Sequence, residues 1–345
     1  MAEKLKYILR KNAPSVYLAL VRLRKGDGAA LAQKTRLHWE TLARAGMSNI
    51  NAQKVASARF GPGSQITSSK TLNLGRFNNG IFVHEVSNSE GKTRGCFVEK
   101  LTTNPIEAAL AACTMRVCGT PDDVFAQIYS IGSEDGFYRI FMEYIGGIGA
   151  QLSLDGSYAP HLAAALVRLN EQLEFLRCRF SLEFPTSSVK NKIKKLCFME
   201  LEKPDDEMKV RSIVSEIASV LYRYPMILSH DDVHRQNIGR AERAGHEHDV
   251  FIDFGMVKYN IPGAELQFFC QFERRDENRL FFEALSQEYS KLMDIPLPVI
   301  QMGAFFQASH RVLHENQRKG MKRPHERPLR LLKHARRALH ERPLK

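Results

Sequence analysis

The sequence predicts an α+β chain, with a short antiparallel sheet in its first half and a mainly helical second half. Three observations lead there. Between about residues 70 and 145, apolar residues cluster in short strand-like runs separated by turn chemistry. From about Pro160 onward the pattern is helical, except at 226–258. That exception carries two polar clusters, each behind a short apolar strand.

The elements follow in order. Residues 1–60 read as helical, with Tyr7, Ile8, Tyr17, Leu18, Leu20, Val21 and Leu23 forming an apolar side among Lys and Arg. Gly26-Asp27-Gly28 breaks this pattern, and a second helix is predicted from about Ala29 to Ala45. Gly61-Pro62-Gly63-Ser64 reads as a linker. Ile81–Val86 and Cys96–Lys100 read as strands around the turn residues Ser87–Gly91. A helix is predicted after Pro105, because proline lacks the N–H that a first helical residue leaves unpaired. Further strands are predicted near 124–131 and 137–145. The last thirty residues hold either a basic helix around Leu329–Leu339 or a disordered segment. The expected divisions are a basic helical extension at 1–65, a sheet-bearing segment at 66–145, a helical segment at 146–310 and a basic tail at 311–345.

Bulk properties exclude several classes. A chain of 345 residues that is 43% apolar can bury a sizeable core. It contains no uncharged apolar run of the ~18 residues that a spanning helix needs. The N-terminus lacks a signal-peptide apolar segment. The six cysteines form no CxxC pair, as expected of reduced thiols in a cytoplasmic protein. The net charge of +12 is unevenly placed. Residues 1–65 and 310–345 each carry roughly +9, leaving roughly −6 for the body, since 12 − 9 − 9 = −6.

The chemistry is concentrated in Ser229-His230-Asp231-Asp232-Val233-His234-Arg235-Gln236-Asn237-Ile238 and in Ile252-Asp253-Phe254-Gly255. Met226–Leu228 and Val250–Ile252 are the strands behind them, and strand ends hold catalytic loops rigidly. Phosphoryl transfer needs one carboxylate to orient the attacking hydroxyl and accept its proton. It also needs oxygen donors for Mg²⁺, which neutralises phosphate charge. Asp232 fits the first role; Asn237 and Asp253 fit the second. Asn coordinates without adding negative charge beside the phosphates.

His230-x-Asp232-x-His234-x-x-Asn237 followed by Ile-Asp-Phe-Gly resembles the catalytic pair of the aminoglycoside phosphotransferase and choline kinase-like superfamily. Protein kinases share the Asp…Asn…Asp-Phe-Gly order but usually carry Arg before the first Asp. Here Asp231 stands there, where the resembled families usually have Gly. The resemblance implies a two-lobed protein kinase-like fold, with a small antiparallel-sheet N-lobe and a mainly helical C-lobe, and implies ATP and Mg²⁺ as cofactors. It covers about residues 70–300. Leu74–Val83 resembles the hairpin over the phosphates, with Gly75 and Gly80 permitting close backbone approach, though an ordinary hairpin has the same features. Lys100 matches the ATP-holding lysine, and Glu107 its partner; a surface lysine and a glutamate favoured at a helix start is the rival reading. Glu99 falls on the opposite face of the strand. Phe141–Gly147 resembles the hinge between lobes, so backbone groups around Glu143 and Ile145 are expected to bind adenine; the alternative is a strand and a turn.

After Gly255 there is no Ala-Pro-Glu and little room for an activation segment, which favours a hydroxyl-bearing small molecule, sugar or lipid-linked glycan over a protein acceptor. A protein kinase, or an inactive kinase-like scaffold, is the alternative. Asp276, Glu277, Glu283 and Glu288 read as a solvated helix face. His246 and His248 are placed in the loop between the motif strands. The basic ends suit an anionic membrane surface, with a solubilising tail as the alternative; the expected location is cytoplasmic, with peripheral attachment at the inner face of the membrane if the first reading holds. Nucleic acid is a weaker fit, since the tail has no interleaved aromatics.

Overall fold

The protein is represented by a computed structural model. It describes residues 29–48, 50–72, 80–117, 123–145, 156–197, 199, 204–243, 245–270, 276–321 and 325–341. The predicted helical segment before Ala29, the hairpin residues around Gly75 and the Gly146-Gly147 pair lie outside these. The chain divides into two compact units. The first comprises Met1–Gly146, Leu176–Glu183 and Arg240–Gly255; the second comprises Gly147–Phe175, Phe184–Gly239 and Met256–Lys345.

The first unit is a five-stranded antiparallel sheet with helices. In chain order it has α1 (Ala29–Ala45), α2 (Ala52–Phe60), β1 (Gln65–Thr71), β2 (Gly80–Ser87), β3 (Thr93–Thr102), α3 (Pro105–Val117), β4 (Ile128–Glu134) and β5 (Phe137–Glu143). The strand order is β1-β2-β3-β5-β4. β3 is central, pairing Lys100 with Ile81 on β2 and with Ile140 on β5. Val55 and Ala56 of α2 pack with Val86, Phe97 and Phe141. Ala111 and Ala112 of α3 pack with Ile131 and Ile140. Trp39 of α1 is fully buried and donates its indole N–H to the Glu183 carbonyl at 3.1 Å. Burying an apolar side chain of this kind contributes about 1.5–3 kcal/mol, so the basic segment before residue 65 supplies part of this unit's core.

Three readings of the strands need correction. β1, Gln-Ile-Thr-Ser-Ser-Lys-Thr, is a polar and mostly exposed strand at the sheet edge, so it gave no apolar signal. The strand expected at 124–131 starts at Ile128; before it, Phe125 forms only a single bridge, to Phe251. His246 and His248 lie on a strand, β8 (His246–Phe251), paired with β7 (Ile238–Arg243).

The second unit is mainly helical. It contains most of α4 (Ala159–Phe180), then α5 (Val189–Cys197), α6 (Pro204–Leu221), α7 (Asp276–Met293), α8 (Leu297–Arg318) and α9 (Glu326–Glu341). β6 (Ile227–Ser229) pairs antiparallel with β9 (Lys258–Asn260), setting Ser229 opposite Lys258. α8 runs through the core and spans the boundary expected at 310. A Cβ on Gly303 would lie 1.8 Å from the Pro262 carbonyl oxygen, so only glycine lets α8 sit this close to that turn. α9 packs on α8 through a Ser309 hydrogen bond to the Pro328 carbonyl and a stack of His334 on Phe305. Two acidic side chains of α7 pair with basic neighbours on the helix: Glu283 with Arg279, and Glu288 with Lys291.

Candidate active site

Each unit carries a cluster of the residues singled out in the sequence. In the first unit, β3 delivers Lys100 to one face of the sheet and Glu99 to the other. Glu99 is engaged there by His84 at 3.0 Å and Arg139 at 2.7 Å. Helix α3 begins at Pro105, and the Asn104 side chain accepts the Ile106 N–H at 3.0 Å, satisfying one of the helix's unpaired donors. Glu107 is in the first turn. The Lys100 ammonium lies 2.5 Å from Glu107 Oε1 and 2.9 Å from Asp253 Oδ1. Lys100 and Glu107 are each only 6% exposed. Burial opposes the lysine charge, but the two carboxylates outweigh it and raise the Lys100 pKa above the ordinary lysine value. Lys100 is therefore a paired, interior cation, which removes the surface-lysine alternative.

Asp253 follows β8 with a left-handed backbone (φ 68°), a conformation that Asp tolerates better than most non-glycine residues. Phe254 packs on Phe125 with ring centroids 4.8 Å apart. The Asn104 amide donates to the Gly255 carbonyl at 2.9 Å. A Cβ on Gly255 would come within 2.9 Å of that same amide nitrogen.

The remaining nucleotide-site expectations in this unit are only partly placed. Gly80 opens β2 opposite Leu101, one register position from the Ile81–Lys100 pair. Gly75 lies outside the described residues. Glu143 ends β5, and its carboxylate accepts the Gln127 N–H at 2.7 Å and an Arg243 N–H. Its own N–H donates to the Gln127 carbonyl. Arg243 also donates to the carbonyls of Asp123 and Phe125. The Glu143 side chain thus braces the end of the sheet, and the side chain of Ile145 is buried.

In the second unit, β6 leads into the His230-Asp231-Asp232 turn. Asp232 Oδ1 accepts from Arg311 Nη2 at 2.9 Å. Its Oδ2 lies 3.4 Å from Asn237 Nδ2 and 3.7 Å from His234 Nε2. Asn237 donates to the Asp232 carbonyl at 2.9 Å, which fixes its orientation. Burial pushes the Asp232 carboxyl up, but His234 and Arg311 outweigh it and hold the pKa at about 2. Asp231 is 2% exposed and its oxygens are all engaged. Oδ1 accepts from Asn260 at 2.5 Å and Gln307 at 3.3 Å, Oδ2 pairs with Lys258, and the carbonyl accepts from Gln267 at 2.9 Å. Its φ of 58° is a backbone state that glycine adopts freely. This accounts for the departure from the resembled motif: the extra carboxylate is an internal anchor for the loop.

No protein-family model and no curated protein matches the sequence. Solved structures do. Aminoglycoside 2'-phosphotransferase-IIIa in its GDP complex superposes with a TM-score of 0.54 at 16% identity, covering 88% of this chain and 98% of that one. The ternary complex of aminoglycoside phosphotransferase APH(4)-Ia with ADP and hygromycin B gives 0.51 at 10% identity, covering 84% and 99%. The chain has the aminoglycoside phosphotransferase fold. It is the protein kinase-like α+β fold that the motif resemblance implies.

Within the phosphotransferase fold, several residues around the two clusters had escaped the sequence reading. Asn104 sits outside any motif. Gly303, Gln307 and Arg311 recur at every fourth residue of α8 and so share one helix face. That face meets Pro262, Asp231 and Asp232 in turn. The four-residue spacing was visible, but nothing in the sequence said which loop the face meets. Lys192 of α5 completes the inner network, donating to Asn260 at 2.8 Å and to Gln307.

Proposed function

We propose that this protein is an ATP- and Mg²⁺-dependent phosphotransferase acting on a hydroxyl of a small molecule or glycan. The observation that carries the reading is the buried Lys100, held between Glu107 and Asp253. Two carboxylates keep the lysine charged and fixed in place, as a group that holds nucleotide phosphates must be. Lys100 would hold the α- and β-phosphates, with Glu107 positioning it. Backbone groups near Gly80, Glu143 and Ile145 would frame the nucleotide. The solved structures of similar fold hold GDP or ADP, which supports a nucleotide ligand here as well.

Asn237 and Asp253 suit Mg²⁺. Both offer hard oxygen donors, and Asn237 is oriented by donating its N–H to the Asp232 carbonyl, which leaves its oxygen as the ligand end. When bound, the ion would offset phosphate charge. Asp232 would orient the acceptor hydroxyl and take its proton as the acceptor oxygen bonds to the γ-phosphorus and the bridging bond to ADP breaks. Asp231 has no open oxygen for this role.

A thermal-shift titration with ATP, GTP and ADP, with and without Mg²⁺, tests the nucleotide assignment. Stabilisation that depends on Mg²⁺ and is lost in Asp253→Ala is expected. No shift with any nucleotide would favour an inactive scaffold.

Among the described residues, no helix is long and apolar enough to cross a membrane. The solvent side of α9 presents Arg330, Lys333, Arg336 and Arg337, which supports peripheral attachment to an anionic surface. Sedimentation with phosphatidylglycerol vesicles, but not with neutral phosphatidylcholine vesicles, is the expected result. Equal behaviour with both would remove this attachment.

A further inference from the structure

Arg311 contacts Asp232, the residue proposed to orient the acceptor hydroxyl. Its guanidinium gives one N–H to Asp232 and lies 4.1 Å above the Phe268 ring. The side chain is 33% exposed. Among the described residues, Asp232 is the one hydrogen-bond partner of its fork. His234 meets the same ring edge-on at 5.1 Å and also approaches Asp232. Phe268 therefore supports two nitrogen-bearing groups that converge on one carboxylate.

A planar guanidinium fork binds phosphate or carboxylate oxygens in pairs.

We propose that Arg311 is the specificity-determining residue of this site, and that the acceptor carries an oxyanion, phosphate or carboxylate, beside the hydroxyl to be phosphorylated. This rests on Asp232 being the group that orients the hydroxyl. The acceptor's anion competes with Asp232 for the Arg311 fork. Once it wins, Asp232 Oδ1 is released to accept the hydroxyl hydrogen. An acceptor without the anion leaves the Asp232–Arg311 pair closed.

Competition predicts an unusual sign. Inorganic phosphate and acetate are titrated calorimetrically into the full-length protein with saturating Mg–ADP. The set comprises wild type, Arg311→Ala, Arg311→Lys and Asp232→Asn. At least one anion is expected to bind wild type, and the tighter of the two identifies the oxyanion class. Binding should weaken at least tenfold in Arg311→Ala, weaken less in Arg311→Lys, and tighten at least threefold in Asp232→Asn, where the competitor has lost its charge. A merely structural Arg311 would not produce that tightening. If Arg311→Ala does not fold, Arg311→Lys and Asp232→Asn decide the matter. Absent binding to wild type, equal binding to the arginine variants, or weaker binding to Asp232→Asn overturns the proposal. A failed kinase reading shows separately, as a missing Mg-nucleotide thermal shift, and leaves the anion titrations readable.

Discussion

The Asn104 side-chain amide donates to the Gly255 carbonyl at 2.9 Å. Its other end accepts the Ile106 N–H. One residue therefore ties the start of the helix bearing Glu107 to the segment bearing Asp253, the two carboxylates that hold Lys100. Removing it should loosen both. Asn104→Ala is expected to cost about 1–2 kcal/mol, the worth of a cap plus a hydrogen bond. Nucleotide affinity should fall with it. Denaturant midpoints and nucleotide titrations measure the two effects; unchanged values in both would show that the tie is idle.

The Lys100 pair makes a stronger demand. Lys100→Ala leaves Glu107 buried beside no cation and is expected to cost about 3–5 kcal/mol. Glu107→Gln keeps the Asp253 pairing and should cost less, while nucleotide binding weakens at least tenfold. Urea unfolding of both variants orders them. A larger loss in Glu107→Gln would contradict the assignment of Lys100 as the hub.

Asp232 predicts a pH dependence. Its carboxyl is held at about 2, against an ordinary value of 3.8. A depressed folded-state pKa stabilises the fold above the unfolded value, and that contribution disappears as pH falls through about 2. It amounts to at most about 2 kcal/mol for a shift of this size. The stability gap between wild type and Asp232→Asn should therefore narrow from pH 5 to pH 2. A gap that stays constant across that range would mean that the ion pair with Arg311 is absent in solution.

Asp231 sets a steric gain against an electrostatic loss. Asp231→Gly relieves the left-handed backbone, yet it strips Lys258, Asn260 and Gln307 of their shared acceptor. A net loss of about 1–2 kcal/mol is expected, because a half-buried cation and two amides left without their acceptor outweigh the backbone gain. Calorimetric melting decides the sign. A more stable variant would show that the carboxylate is no anchor.

Much of this protein could be read from its sequence where local pattern and chemistry coincide. The helix at Ala29–Ala45, the strand bearing Lys100 and the helix after Pro105 follow from apolar spacing and from proline's missing N–H. The reading failed where burial does not set the pattern. β1 is a polar edge, and the histidines of β8 sit on a partly exposed hairpin. It also failed where partners are distant in the chain. Asp232 and Arg311 lie 79 residues apart, and Asp231 and Gln307 lie 76 apart. Only the packing of α8 on the Gly263 turn brings them together. Asp231 looked like an irregularity in the motif because its partners are all of this kind.

The central claim is phosphate transfer, and it is tested by following the labelled γ-phosphoryl of ATP onto a panel of sugars, sugar phosphates, lipids and proteins. Wild type with Mg²⁺ is expected to label at least one hydroxyl compound, and Asp253→Ala to label none while remaining folded, at a lowered melting temperature because Lys100 loses one of its two partners. Equal labelling by wild type and by a folded Asp253→Ala would contradict the account.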